Sequence, residues 1–239
     1  MAIQTRKIEY HDGETLLEGH LAWDDAQSGP QPGVLVAHAW GGRDAFACEQ
    51  AEALAKAGYV GFALDMFGKG VLGHSVAENS ALITPFVQDR STMQQRMQRA
   101  LAVLREQPEV NADQIGAMGF CFGGMCVLDL ARTGADIKGV VSFHGLLGAP
   151  DNLPTGQITA SVLVLHGYKD TMATPEHLAA IQQELAASGG DWQTHCYGQA
   201  FHAFTNPEAN DHELGTIYNA AAACRSMRLM HDFFGECFV

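Results

Sequence analysis

Cys121 lies within Gly119-Phe120-Cys121-Phe122-Gly123-Gly124, and this string carries the plainest chemistry in the chain. A thiol with glycine two positions away on either side fits a tight turn from a strand into a helix. Such a turn forces its central residue into a strained backbone, and side chains at the flanking glycines would collide with it. Residues 114–118 read as the entering strand and residues 125–131 as the departing helix. The first N–H groups and the positive end of that helix would favour thiolate over thiol at position 121. The string also fits a buried thiol in a glycine turn, because free cysteine is among the most buried residue types.

A nucleophilic thiol needs a base, and the base needs an acid to orient it. Ser161-Val162-Leu163-Val164-Leu165-His166-Gly167 reads as a strand, which places Asp170 on the loop just beyond it. The stretch Tyr197-Gly198-Gln199-Ala200-Phe201-His202 places His202 on the loop after the next strand. Taken alone, Asp170 fits a turn or cap ahead of Pro175, and His202 fits a core histidine between aromatics. As a set the order is nucleophile, acid, histidine, each just past a strand end, and that order favours catalysis. Donors for an oxyanion are expected at the N–H of Phe122 and at Ala39 or Trp40 in His38-Ala39-Trp40-Gly41-Gly42. Trp40, Phe122, Phe201 and Phe204 would form an apolar rim and His144 would border the pocket, which suits an uncharged or aromatic acyl or alcohol group. His38 and His166 are expected to pin loops by hydrogen bonds. No His/Glu pair at helical spacing accompanies them, so neither a metal nor an organic cofactor is expected.

The elements that must position these residues follow from the hydrophobic pattern. Residues 4–10 and 15–23 alternate like two strands around the turn His11-Asp12-Gly13. Short apolar runs at 34–37, 60–64, 115–120, 140–143 and 162–165 then alternate with helical stretches at 45–57, 90–107, 175–187 and 217–234. That alternation predicts an α/β fold whose mostly parallel sheet carries helices on both faces, with an antiparallel hairpin at one edge. One domain spanning 1–239 is expected. The connections 67–86 and 145–160 are long enough for a lid and a pocket wall, and both leave from the sheet edge where ligands bind. Arg90 and Arg96 are assigned to a solvated helix face, and Cys48, Cys126 and Cys224 to the core.

Fourteen basic against 27 acidic residues give a net charge of −13, which argues against nucleic acid or an anionic membrane as partner. No apolar run reaches membrane-spanning length, and residues 1–10 lack a signal core, so a cytoplasmic location is expected. Six scattered cysteines form no C-x-x-C pair and suggest neither zinc nor a disulfide framework. Oligomeric state is not legible.

The elbow around Cys121, His166-Gly167 leading to Asp170, His202 between Phe201 and Phe204, and Asp65 closing the strand that follows Gly58 together resemble the dienelactone hydrolase family of α/β-hydrolases. The resemblance runs from about Thr15 to the last helix. It implies a Cys121–Asp170–His202 triad acting on small esters or cyclic lactones. Two positions depart from the family pattern. No acidic residue stands between Val34 and Arg43, and Ala39 falls about where the family places a glutamate. Thr205-Asn206-Pro207 stands where it places a substrate-binding arginine. A substrate without a carboxylate is therefore expected. A thioesterase, or a redox-responsive or ligand-binding protein of the same fold, remains an alternative.

Overall fold

The computed structural model describes residues 2–151, 153 and 157–239. An eight-stranded sheet forms its centre. Strands β1 (Ile3–Asp12) and β2 (Thr15–Asp24) make the leading hairpin, followed by β3 (Gln31–Ala37), β4 (Val60–Ala63), β5 (Val110–Phe120), β6 (Gly139–Phe143), β7 (Ser161–Gly167) and β8 (Trp192–Tyr197). Their spatial order is β1-β2-β4-β3-β5-β6-β7-β8. The hairpin is antiparallel internally and to β4, and every later pairing is parallel. The largely apolar runs in β3, β4 and β6 have the reason foreseen: helices cover both sheet faces, so no residue of these strands after Pro32 reaches solvent.

The helices are α1 (Ala45–Lys56), α2 (Val76–Gln88), α3 (Arg90–Arg105), α4 (Phe122–Arg132), α5 (Pro175–Ser188) and α6 (Ala220–Cys237). Asp44 caps α1 by accepting the Ala47 N–H at 3.0 Å, and Asn219 caps α6 through Ala222 N–H. The long connection at 67–86 contains most of α2, whose only buried residue is Phe86. A two-residue ribbon, β9 (Asn210–Asp211) with β10 (Thr216–Ile217), closes the loop after His202. Part of the wall expected at 145–160 lies outside the described residues. Among the described residues, no helix is long and apolar enough to cross a membrane.

Two expectations about side chains are corrected. Arg90 is buried, not solvated. Its guanidinium grips both oxygens of Asp129 on α4, at 2.7 and 2.6 Å, and Arg132 adds a 3.0 Å bond to the same carboxylate. Arg132 in turn holds Glu184 of α5 with two 2.7 Å bonds and donates to the Leu147 carbonyl. Arg96 is also withdrawn from solvent, bound to Asp12 and Thr15 and laid over the Phe86 ring. Charged groups pair here because three helices meet where no water is left to solvate a guanidinium. Of the cysteines assigned to the core, Cys126 is buried, Cys48 is half-buried and Cys224 is exposed on α6.

Candidate active site

Strand β5 ends at Phe120 and α4 begins at Phe122, so Cys121 alone makes the turn, with φ 55° and ψ −115°. This is backbone strain of the kind that concentrates at functional sites. Gly119 and Gly123 are required by close approach: a Cβ on Gly119 would fall on the Gly123 carbonyl, and one on Gly123 would fall on the Ala37 carbonyl. The positive φ values of non-glycine residues among the described residues belong to Cys121, His144 (38°) and Ala203 (56°). All three line one cavity.

Asp170 follows β7 and is buried. Its Oδ1 accepts N–H bonds from Met172 and Ala173 at 2.8 and 2.9 Å, which fixes the carboxylate's orientation. Its Oδ2 accepts the Nδ1–H of His202 at 2.7 Å. The loop bearing His202 is held by backbone bonds from His202 N–H to Gly215 and from Ile217 N–H back to His202. The other ring nitrogen, Nε2, is buried and makes no full hydrogen bond among the described residues, yet Cys121 is near enough to dominate the influences that raise the ring's proton affinity. Burial pulls that affinity down, but Cys121 and the bonded Asp170 outweigh it and push the His202 pKa up to about 10. A raised pKa means that the proton is kept as pH climbs past the ordinary 6.5. Nitrogen-resolved NMR should therefore find His202 as an imidazolium at pH 8. In Cys121→Ala its midpoint should fall, because the largest raising influence is gone. An unprotonated ring at pH 8 in the wild type would contradict this electrostatic picture.

The cavity holds about 310 Å³. Ala39, Trp40, Cys121, Phe122, His144 and His202 all line it. The N–H groups of Ala39, Trp40 and Phe122 donate to no protein acceptor among the described residues, so they are free to meet an anionic oxygen. His38 shapes that loop. Its Nε2 accepts the Met66 N–H at 3.1 Å and its Nδ1–H donates to Ala39 O at 2.6 Å, while burial lowers its pKa and keeps the ring neutral. His166 does not pin a loop through its ring, since both nitrogens are buried without partners among the described residues. His144 bonds Thr205 Oγ1 through Nε2 at 2.7 Å and meets the His202 ring edge-on at 5.2 Å. Burial, aided by His202, holds its pKa well below 6.5.

Phe201 and Phe204 do not line the cavity. The turn at Ala203 sends Phe204 into the core against His144 and Tyr197, and Phe201 instead stacks under Lys169. The apolar walls come from Phe46, Ile83, Leu146, Met172 and Leu214, none of which was singled out from the sequence. Asp44 and Asn206 also reach the cavity. Among the described residues, no cluster of three or more His, Cys, Asp or Glu is arranged to hold a metal.

Residues 17–238 match the sequence profile of the dienelactone hydrolase family. A probable 2-oxo-3-(5-oxofuran-2-ylidene)propanoate lactonase from Bradyrhizobium sp. is 31% identical over 216 residues, 85% of this chain and 86% of that one. A putative carboxymethylenebutenolidase from Yersinia pestis is 26% identical over 98% of this chain and 91% of its own length. Among solved structures, a dienelactone hydrolase-like promiscuous phosphotriesterase from metagenomic libraries superposes with a TM-score of 0.94 at 39% identity, covering 100% of both chains.

Proposed function

The chain belongs to the dienelactone hydrolase family and is a carboxylic ester hydrolase, and on that premise we propose that it cleaves small esters or lactones through an acyl-thiol intermediate on Cys121. The observation that carries this reading is His202, bonded to Asp170 at 2.7 Å through Nδ1, with a buried Nε2 in the cavity that Cys121 also lines. The sulfur attacks the substrate carbonyl, whose oxygen gathers negative charge and is met by the N–H groups of Phe122 and of Ala39 or Trp40. As the carbon–oxygen bond breaks, the His202 imidazolium gives its proton to the departing alcohol. The neutral ring then takes a proton from water, whose oxygen attacks the thioester. The acid leaves, and the sulfur and imidazolium are restored. Asp170 keeps the proton-bearing Nδ1 turned toward itself, so Nε2 does the transferring.

The phosphotriesterase relative favours a second electrophile for the same sulfur. A cavity with apolar walls and no lysine or arginine among its lining residues suits a neutral phosphotriester as well as a neutral ester. The test is a panel of nitrophenyl acetate, a small enol lactone and a neutral nitrophenyl phosphotriester. Turnover of the first two by wild type is expected. Failure on both would remove the carboxylic ester assignment, whatever happens with the phosphotriester.

A further inference from the structure

Charge is the property of this cavity that ester cleavage alone leaves unused. Asp44 lines the cavity, and no lysine or arginine does among the described residues. The adjacent Arg43 cannot neutralise it, because its guanidinium is committed to Glu18 through bonds of 2.6 Å to the carbonyl and 2.8 Å to the carboxylate. Asp44 spends one oxygen, Oδ1, on the cap of α1. Its Oδ2 accepts no protein hydrogen bond among the described residues. On either side of this carboxylate in the chain stand Trp40 and Phe46, both lining the cavity, and Phe46 packs edge-on against a third lining ring, Phe120, at 5.1 Å.

An exposed carboxylate with one oxygen unbonded, on a cavity also lined by aromatic rings and by no lysine or arginine among the described residues, is chemistry that can receive an alkylammonium group. The rings attract the cation through their quadrupoles and the carboxylate through its charge. The chain's net charge of −13 would draw the same ligands toward the molecule and repel anions. We propose that the preferred substrate is an ester carrying a cationic, alkylammonium-type group, seated beside Asp44 and the rings of Trp40 and Phe46 while its carbonyl meets Cys121. The seat rests on the hydrolase reading for its catalytic consequence, but not for its affinity.

Two matched nitrophenyl esters test it, one ending in trimethylammonium and the other, of equal length, in carboxylate. At low salt the wild type should favour the cationic ester in kcat/KM by about tenfold or more, the effect of roughly 1.4 kcal/mol at an exposed carboxylate. Asp44→Asn keeps the helix cap, since asparagine caps as well as aspartate, and should cut that ratio at least about threefold. Raising the salt should shrink the ratio in the wild type. A ratio near or below one, or one that Asp44→Asn leaves unchanged, overturns the proposal. Calorimetry with tetramethylammonium reads the seat without turnover: binding weakened by Asp44→Asn is expected, and no binding to wild type also overturns it. Loss of all ester turnover, with tetramethylammonium still bound at Asp44, would instead sink the hydrolase reading and leave the seat standing.

Discussion

Cys121→Ala should lower kcat/KM for nitrophenyl acetate by about 10⁴-fold or more, a loss of roughly 5.5 kcal/mol of transition-state stabilisation. The size follows from what alanine leaves behind. The free N–H groups of Ala39, Trp40 and Phe122 would still meet an oxyanion, and the cavity would still bind ester, so some acceleration over water survives. The covalent route does not. His202 also loses its chief raising influence, so its charge state changes along with the nucleophile. Alanine must hold the same φ of 55°, and a thermal melt of the variant separates lost folding from lost chemistry. A folded variant with wild-type turnover would remove Cys121 from the reaction.

Asp129→Ala should cost about 3–5 kcal/mol of folding stability, read as a fall in the denaturant midpoint. Among the described residues Asp129 is the only carboxylate bonded to Arg90, which is buried, whereas Arg132 keeps its pair of bonds to Glu184. Removing the acid strands the Arg90 guanidinium in a region where it can neither reach water nor lose its proton. The double variant Asp129→Leu with Arg90→Met should recover most of the loss, because the cost lies in the unpaired charge and not in a missing attraction. A double variant as unstable as Asp129→Ala would place the cost in helix packing instead.

The contrast between these two sites explains what was legible in the sequence. Cys121, Asp170 and His202 each stand just past a strand end, and a parallel sheet brings such ends to one edge whatever the packing elsewhere. That all three would come to one sheet edge could therefore be read from periodicity and order. Arg90 and Asp129 are 39 residues apart on different helices, and nothing in helical spacing says which faces oppose. The cavity walls were hidden for the same reason. Ile83 arrives from α2 and Leu214 from the turn before β10, and both depend on how loops fold back over the edge. Phe204 was misplaced because the backbone just before it turns through a positive φ at Ala203, and no residue type announces that at an alanine. The start of β5 was also set too late. A register shift between Pro32 and Gly33 lets Gln31 pair with Val110, which lengthens the strand through polar residues.

The most direct test of the central claim is to quench the wild type in acid during turnover of nitrophenyl acetate and map its cysteine peptides by mass spectrometry. Exposed Cys196 and Cys224 are internal controls for adventitious acylation. The account predicts one acetyl group on the peptide containing Cys121, removable by hydroxylamine, with both controls unmodified. An unmodified Cys121 while turnover proceeds, or an acetyl group carried by a different residue, would contradict it.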